Sequence, residues 1–285
     1  MSDTRRALAE AGRRLAEAGV PDPGRDARRL LAHVLGIATK RLSVEMPADL
    51  GAAAIAFEAA IVRRAAREPL SHITGSRLFW GRRFIVTPDV LDPRPETEAL
   101  VAHALEAPFD RLLDLGTGSG CLLLSLLAER PMARGLGVDL SPAALEVAGR
   151  NRAALGLGER ADLTVSDWFG KVTGRFDLIV SNPPYITAAE MAELSPEVLR
   201  EPALALSPGG DGLDSYRVIA AGAGAHLLPG GRLAVEIGWR QGPAVAEIFR
   251  AAGLEQVAIH PDMDGRDRVV AARAPQAAPK DAQSA

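Results

Sequence analysis

The chain has 285 residues, of which 47% are hydrophobic and 24% charged, and its formal net charge is −3. This length allows one large α/β domain and a smaller companion. Its apolar runs, such as Leu122 to Ala128, are shorter than the ~18 residues that a membrane span needs, and no apolar stretch follows Arg5 and Arg6 to make a signal peptide. We therefore expect a cytoplasmic protein without a membrane segment.

The first predicted unit is a small helical bundle. Between Thr4 and Arg67 the apolar residues recur at helical spacing, and the pattern breaks at Gly19 to Gly24 and around Pro47. Helices with one apolar face are stable when those faces pack together. We assign residues 1–70 to a helical domain.

A β-hairpin is predicted after this bundle. Pro69 ends the last helix, because proline removes a backbone donor and clashes with the preceding turn. The segment Leu78 to Thr87 has a strand pattern with Gly81 at its turn. We assign residues 71–92 to a β-hairpin linker.

The basic residues are concentrated in the first part of the chain. Residues 1–83 hold 15 Lys and Arg against 9 Asp and Glu, whereas the remainder holds 18 against 27. A basic lobe beside an acidic one indicates that the first lobe meets an anionic surface, either protein or RNA. Charge alone fits equally well a solvated helical face whose arginines keep the domain soluble.

After Pro95, short apolar strands alternate with longer helices, which predicts a parallel, doubly wound α/β sheet covered on both faces. The predicted strands are Leu112 to Leu115, Gly135 to Asp139, Leu163 to Val165, Leu178 to Val180 and Leu233 to Ile237. Ser141 and Pro142 start a helix, because the hydroxyl caps the first turn and proline suits the first helical position. We assign residues 93–273 to this α/β domain.

The carboxyl-terminal end has a different composition. From Ala274 onward the chain consists of alanine, proline and polar residues without periodicity. We expect residues 274–285 to form a disordered tail.

A glycine-rich loop follows the first predicted strand of the sheet and opens a helix. Its glycines allow a tight turn and let a ligand approach the backbone. A dinucleotide fingerprint would place its third glycine or alanine at position 121, which is Cys121, so the spacing disfavours NAD. The acid at the strand end would repel a pyrophosphate but favour the ammonium and sulfonium of S-adenosylmethionine. The residues expected to bind this cofactor are Asp114, Gly116, Thr117, Gly118, Ser119 and Gly120.

Cys121 is the single cysteine of the chain. It has no second cysteine with which to form an intrachain disulfide, and it lacks the cysteine and histidine neighbours of a zinc site. A lone thiol is more often a small buried hydrophobic side chain than a nucleophile. We therefore predict no metal ligands.

Further polar groups close the next two strands. Asp139, at the end of the second strand, is placed to accept both ribose hydroxyls of a nucleoside. Asp167 and Trp168, after the third strand, are suited to bind the adenine amino group and to pack against its ring. Each residue alone fits a structural role equally well, but such groups at successive strand ends meet where open α/β sheets bind ligands.

The tetrapeptide Asn182-Pro183-Pro184-Tyr185 follows the fourth predicted strand, at the same edge of the sheet. The Asn182 side-chain oxygen and the Pro183 carbonyl can each accept one N–H of a planar NH2 group. The prolines carry no N–H, and Tyr185 offers a flat face for stacking. We therefore predict that the substrate-binding residues are Asn182, Pro183, Pro184 and Tyr185. Asn182 is also expected to border the cofactor, and with Pro183 it would act in methyl transfer to the substrate nitrogen.

These motifs resemble class I methyltransferases that act on exocyclic or amide nitrogens. The tetrapeptide does not separate nucleic-acid enzymes from the release factor glutamine methyltransferases, the PrmC/HemK family, but the rest of the chain resembles the latter across nearly its whole length. The segments that carry this resemblance are Pro93 to Glu98, Glu201 to Leu206, Gly209 to Leu213 and Asp262 to Arg268. One difference is Trp239, where the family pattern has a tyrosine-type aromatic residue.

The resemblance implies a class I S-adenosylmethionine-dependent methyltransferase: a Rossmann-like doubly wound sheet with a small helical amino-terminal domain for substrate recognition and a linking β-hairpin. It implies methylation of the side-chain amide nitrogen of the glutamine in the Gly-Gly-Gln motif of class I peptide chain release factors. In such a family the glycine loop and Asp139 bind the cofactor, and the tetrapeptide forms the glutamine pocket. Release factors are then the partners, in translation termination, without direct nucleic-acid binding.

Two alternatives remain open at this point. A nucleic-acid amino methyltransferase acting on adenine or guanine has the same tetrapeptide and is compatible with the basic first lobe. The acidic catalytic part and a sequence pI of about 6.0 disfavour it. A binding module without catalytic activity is disfavoured by the intact Asn182.

Overall fold

The computed structural model describes residues 3–276, and the chain divides into two compact units. The first consists of Met1–Ser76 and Leu194–Arg200, and the second of Arg77–Glu193 and Glu201–Ala285. The first unit is therefore discontinuous in sequence, because a short segment that follows the Asn-Pro-Pro-Tyr tetrapeptide belongs to it. The domain boundaries drawn from the sequence, at residues 70 and 93, stay predictions.

The first unit is helical, as its apolar periodicity predicts. Its helices are α1 Asp3–Glu17, α2 Pro23–Val34, α3 Leu42–Glu45, α4 Ala53–Ala65 and α5 Leu70–Thr74, with short 3-10 helices at Thr39–Arg41 and Val198–Arg200. Its fully buried large aliphatic side chains are Leu15, Leu30, Leu31, Leu42 and Ile61. Burial stabilises each by about 1.5–3 kcal/mol, so this small core holds the bundle together.

The segment Leu194–Arg200 is fastened within the first unit by Glu197. Both oxygens of this carboxylate accept hydrogen bonds from Arg67, each at 2.6 Å, and Oε1 also accepts one from Arg64 at 2.9 Å. Burial raises the pKa of Glu197, but the arginine hydrogen bonds outweigh burial and hold the pKa at about 2. Arg64 also pairs with the buried carboxylate of Asp26 at 2.8 Å. The segment is thus held by charge-assisted bonds.

The predicted hairpin is present, and all of it except its first residue, Ser76, belongs to the second unit. Strands β1 Ser76–Phe79 and β2 Arg82–Ile85 form a two-stranded sheet. The two residues between them, Trp80 and Gly81, both have positive φ, at 47° and 70°. This is the backbone of a type I′ turn, whose twist matches that of the strands.

The described residues of the second unit also form a seven-stranded sheet. Its strands are β3 Arg111–Leu115, β4 Arg134–Asp139, β5 Ala161–Val165, β6 Phe176–Ser181, β7 Leu227–Glu236, β8 Glu255–Pro261 and β9 Asp267–Arg273. The spatial order is β5-β4-β3-β6-β7-β9-β8, and β3 to β7 run parallel to one another. The predicted parallel part is therefore confirmed.

The last two strands, β8 and β9, were not predicted from the sequence. β9 runs antiparallel to β7, and β8 runs antiparallel to β9 at the edge of the sheet. Most residues of β8 are exposed or only half-buried, so an edge strand of this kind has no apolar run to mark it. The sheet is therefore mixed rather than entirely parallel, a common form in large α/β folds.

Helices cover both faces of this sheet. They are α6 Glu98–Ala104, α7 Cys121–Glu129, α8 Pro142–Ala154, α9 Ala203–Leu206, α10 Asp214–His226 and α11 Gly242–Ala251, with 3-10 helices at Pro95–Thr97 and Glu190–Glu193. Leu112 packs into one apolar cluster with the leucines of α7, whereas Leu113 packs into another with Phe249 of α11. This alternation along one strand is the doubly wound arrangement. Within residues 3–276, no helix is both long and apolar enough to cross a membrane.

The order of the strands fixes the place of the site. The chain passes from β3 to β4 and β5 on one side, and then returns to place β6 on the other side of β3. Crevices of open α/β sheets form at such a reversal, outside the carboxyl ends of the strands. The loops that follow β3 and β6 border this reversal, and they carry the glycine-rich segment and the tetrapeptide.

The end of the described chain continues along the sheet. Ala274 is buried, and its backbone N–H donates to the Gly231 carbonyl at 2.8 Å. The greater part of the predicted tail, residues 277–285, lies outside the described residues.

Candidate active site

A cavity of about 460 Å³ opens at the carboxyl-terminal edge of the sheet. The loops after β3, β4, β5 and β6 line it, together with residues between 89 and 97 and between 202 and 218. Small-molecule sites have this size, and they occur at this place in open α/β sheets. The cavity lies entirely within the second unit.

The glycine loop forms one wall of the cavity. Gly116, Gly118 and Gly120 all have positive φ, at 70°, 55° and 80°. A side chain at Gly116 or Gly118 would meet open space, but their φ values strain any residue with a Cβ atom. At Gly120, a Cβ atom would also come within 3.0 Å of Leu124. The loop therefore needs glycines for its backbone shape, which leaves its open side accessible to a ligand.

Asp114 lies fully buried beneath this loop. Its Oδ2 accepts hydrogen bonds from the Thr117 hydroxyl at 2.7 Å and the Leu123 N–H at 3.2 Å, whereas Oδ1 is buried without a hydrogen-bond partner among the described residues. Burial raises the pKa of Asp114 to about 7. The carboxyl group thus supports the loop and retains an acceptor that the protein itself does not satisfy.

Asp139 is the last residue of β4, the strand next to β3, and it lines the cavity. Its Oδ2 accepts from the Gly118 N–H and its Oδ1 from the Ser141 N–H, both at 2.9 Å. Burial raises the pKa of Asp139. Each carboxylate oxygen has a second lone pair, so both can accept a further hydroxyl. The predicted cap of α8 is also present, because the Ser141 hydroxyl accepts from Ala144 N at 3.2 Å.

Asp167 and Trp168 lie on the cavity wall after β5. Asp167 is exposed, whereas Trp168 is half-buried and has a positive φ of 44°. The Ser166 hydroxyl donates to the Trp168 carbonyl at 2.9 Å and stabilises this turn. An unusual backbone held by a specific hydrogen bond beside a cavity is typical of a binding loop.

The tetrapeptide begins directly after β6. Asn182 and Pro184 line the cavity, whereas Pro183 is buried. The Asn182 side-chain NH2 donates to the Thr97 hydroxyl at 3.2 Å. The Tyr185 hydroxyl lies 3.4 Å from Glu236 Oε1. The structure thus brings Asn182 and Pro184 to the cavity and directs the phenol of Tyr185 to a buried acid.

Glu236 and Thr97 were not assigned roles from the sequence. Glu236 is the last residue of β7 and is only 1% exposed, and burial raises its pKa to about 7. An acid at the carboxyl end of a buried strand is the same signal that singled out Asp114 and Asp139. Thr97 lies in the segment Pro93 to Glu98, which carries part of the family resemblance but indicated no role for this threonine.

Two of the resembling segments meet at an ion pair. The Arg94 guanidinium lies 2.7 Å from Glu201 Oε1, and the Asp92 N–H donates to the other oxygen at 3.2 Å. Burial raises the pKa of Glu201, and Arg94 partly offsets this effect. Arg94 lines the cavity, so the pair fixes two stretches of its wall.

The residues at the cavity fit S-adenosylmethionine. Asp139 presents two charge-assisted acceptors, which suits vicinal ribose hydroxyls. The buried Asp114 has an unsatisfied oxygen and places a negative charge beneath the glycine loop when it is ionised, which favours a cationic ligand. Trp168 offers an aromatic surface on the same wall.

Comparisons with known proteins identify the family. The chain matches the models of the PrmC N-terminal domain over residues 6–75 and the Methyltransferase small domain over residues 89–213. It is 61% identical to the release factor glutamine methyltransferase of Cereibacter sphaeroides over 95% of this chain and 98% of that protein. It is 50% identical to that of Rhodospirillum rubrum, over 93% of this chain and 83% of the relative. The chain belongs to the release factor glutamine methyltransferase family.

A solved structure supports the fold independently. A methyltransferase from Pyrococcus furiosus matches with a TM-score of 0.53 and 19% identity, over 76% of this chain and 98% of that one. Family membership confirms the predicted fold class, the methyltransferase activity and S-adenosylmethionine as the cofactor. The roles given to individual residues of the cavity stay predictions.

Proposed function

We propose that this enzyme transfers a methyl group to the side-chain amide nitrogen of the glutamine in the Gly-Gly-Gln motif of class I peptide chain release factors. The observation that carries this proposal is the placement of Asn182. Its side-chain NH2 is held by Thr97, and the residue lines the same cavity as the glycine loop and Asp139. An acceptor for a planar NH2 group thus borders a cradle suited to the methyl donor.

The cofactor would be held by Gly116 to Gly120, Asp139, Asp167, Trp168 and Asn182, with Asp114 supporting the loop from below. S-adenosylmethionine supplies an electrophilic methyl group on a sulfonium when it is bound. The backbone of the glycine loop allows close approach, and Asp139 fixes the ribose. The negative charge of Asp114 would favour the cationic donor over its neutral thioether product.

The substrate amide would be held by acceptors of the tetrapeptide. Because the Asn182 Nδ2 is engaged by Thr97, its Oδ1 is the atom left to accept an N–H of the glutamine. The Pro183 carbonyl accepts the second N–H, and Pro184 and Tyr185 complete the pocket. Two acceptors orient the nitrogen lone pair towards the methyl group, which supplies the positioning that a weak nucleophile needs.

This pocket acts by electrostatics rather than by proton abstraction. An amide nitrogen becomes positive as it forms the new bond and acidic once the bond is made, so its proton passes to water without a dedicated base. The Asn182 and Pro183 oxygens stabilise that developing charge because they are already oriented. We nominate no general base.

The helical unit is proposed to recognise the release factor, in the cytoplasm, where translation termination occurs. Its basic composition suits an acidic protein surface. We propose no direct contact with nucleic acid. Release factors are named in relatives that are 61% and 50% identical to this chain.

The test is methylation of a purified release factor with labelled S-adenosylmethionine. We expect label in a release factor with Gln in its Gly-Gly-Gln loop and none in the matched protein with Ala at that position. Equal labelling of both proteins would place the methyl group elsewhere and contradict the proposal.

A second measurement separates this function from nucleic-acid methylation. Phosphate-dominated binding falls steeply with salt, because each neutralised phosphate releases counterions. We expect the KM for release factor to rise with salt less steeply than this, because a protein surface releases no comparable layer of condensed counterions. Methyl transfer to RNA or DNA with a steep salt dependence would favour the nucleic-acid alternative.

A further inference from the structure

The buried acid behind the tetrapeptide is the most informative group outside the proposed binding residues. Glu236 is 1% exposed, and its Oε2 has no hydrogen-bond partner within residues 3–276. Burial raises its pKa, and the Thr97 hydroxyl, Arg268 and Tyr185 partly counteract that effect. Burying a carboxyl group in this way costs free energy unless each oxygen is satisfied. Stability alone therefore gives no reason for an acid at this position.

Glu236 contacts one end of the tetrapeptide directly and is linked to the other end through Thr97. The Tyr185 hydroxyl lies 3.4 Å from Oε1. Thr97 acts on the same carboxyl group through a hydrogen bond that lowers its pKa, and the Thr97 oxygen accepts from Asn182 Nδ2 at 3.2 Å. A hydroxyl that donates to an acid is left with its lone pairs as acceptors. Glu236 thus lies close enough to act on the Thr97 hydroxyl that accepts the Asn182 NH2.

The backbone on either side of this acid is also held. The Tyr216 hydroxyl donates to the Glu236 carbonyl at 3.1 Å, and Arg268 donates to the Ile237 carbonyl at 3.2 Å. Arg268 in turn pairs with Asp262 at 3.2 Å. The carboxyl group is thus presented from a rigid position at the end of β7. Groups placed by such a rigid support position reacting atoms more accurately than groups on free loops.

We propose that Glu236 is a positioning residue that orients the Asn182 amide through Thr97 and the Tyr185 phenol directly, so that Asn182 Oδ1 faces the substrate nitrogen. The inference rests on the proposed function of Asn182. It adds a chain of contacts that runs from the end of β7 to the substrate acceptor. Glu236 would contact neither the methyl donor nor the glutamine.

Replacement of Glu236 by glutamine tests the orientation without changing the size of the side chain. Glutamine replaces one carboxylate oxygen by an NH2 and removes the charge, so it weakens the hydrogen bonds that the carboxyl group accepts. We expect E236Q to lower kcat for release factor methylation by ~10- to 100-fold, as loss of supporting contacts around a site typically does. S-adenosylmethionine affinity should stay within about threefold by calorimetry, because the cofactor loops are untouched.

Thr97 provides the matched variants. T97V removes the hydroxyl and keeps the shape, and it should lower kcat to a similar extent, whereas T97S should restore most of it. Since both residues act in one chain, the T97V/E236Q double variant should be no slower than about the slower single variant. A purely structural role would lower stability and leave kcat per folded molecule unchanged.

The outcomes separate this inference from the function on which it rests. Wild-type enzyme that fails to label the release factor contradicts the proposed function before any variant is measured. Active wild type with wild-type kcat in E236Q overturns the positioning role alone. Fully additive losses in the double variant overturn the chain through Thr97. If E236Q does not fold, the T97V and T97S pair still decides between these outcomes.

Discussion

Asn182 is the residue on which the proposed methyl transfer depends most directly. Replacement by alanine removes the proposed acceptor for the glutamine N–H, and we expect it to lower the rate by ~100-fold or more, as loss of one preorganised polar group does. Cofactor affinity should stay within about tenfold, because the glycine loop and Asp139 remain. Single-turnover methylation together with calorimetry measures the two effects separately.

Aspartate at position 182 is the control for this prediction. N182D keeps an acceptor oxygen but loses the NH2 that donates to Thr97, and we expect an intermediate loss of rate. Wild-type rates in both variants would contradict the acceptor role. An unchanged rate per folded molecule with lower stability would mean that Asn182 only ends a strand.

Asp139 gives the second prediction at this scale. Its carboxylate would bond the ribose and also accepts the Gly118 and Ser141 N–H groups. We expect D139A to weaken S-adenosylmethionine binding by roughly 1–3 kcal/mol through loss of charge-assisted bonds. D139N separates the two roles, because it retains one acceptor without the charge. Calorimetry that shows wild-type affinity in D139A would place the ribose elsewhere.

At the level of elements, the sequence predicted the parallel core of the sheet because β3, β4, β6 and the second half of β7 are apolar runs flanked by turn residues. β8 was missed because this exposed edge strand has no comparable run, and β9 was missed, although it is mostly buried, because its apolar run covers only Val269 to Ala272. The glycine loop and the tetrapeptide were recognisable because their chemistry is local. The contact between Thr97 and Asn182 was not, because 85 positions separate them and only the fold brings them together.

The segment Leu194–Arg200 is an element whose attachment was also not visible in the sequence. It belongs to the helical unit and is fixed by Glu197. We expect E197Q to increase hydrogen exchange of the amides of this segment, because glutamine cannot replace a carboxylate shared by two arginines. S-adenosylmethionine affinity should not change. Exchange protection equal to the wild type would show that other contacts hold the segment.

The attachment also has a defined pH dependence. The folded pKa of Glu197, about 2, lies below its ordinary value, so its stabilising contribution is complete above about pH 5 and is lost as the pH falls towards 2. A chain that begins at Arg77 would lack Arg64 and Arg67, the partners of Glu197. Substitution of Glu197 therefore tests the attachment of the segment more specifically than removal of the helical unit does.

For the whole molecule, the buried acids set how stability varies with pH. Burial raises the pKa values of Asp114 and Glu236 to about 7, so both bind protons more tightly folded than unfolded. Their contribution is fully present below about pH 4 and is lost as the pH rises to about 7. Burial lowers the pKa of His103, which acts in the opposite direction near pH 6. Burial also raises the pKa values of Asp139 and Glu201, so the acids outweigh the histidine, and we expect the unfolding free energy of the second unit to fall by roughly 3–5 kcal/mol between pH 5 and 8.

This trend can be measured by urea unfolding, because all three tryptophans, Trp80, Trp168 and Trp239, lie in the second unit and their fluorescence reports its unfolding.

Cofactor binding should reverse part of this trend. A cationic ligand above Asp114 favours its ionised form, and S-adenosylmethionine should therefore bind more tightly at pH 8 than at pH 6. D114N, which cannot ionise, should lose that dependence, whereas E236Q should retain it because Glu236 contacts the tetrapeptide. Affinity in the wild type that is equal at both pH values would show that Asp114 supports the loop without acting on the charge of the ligand.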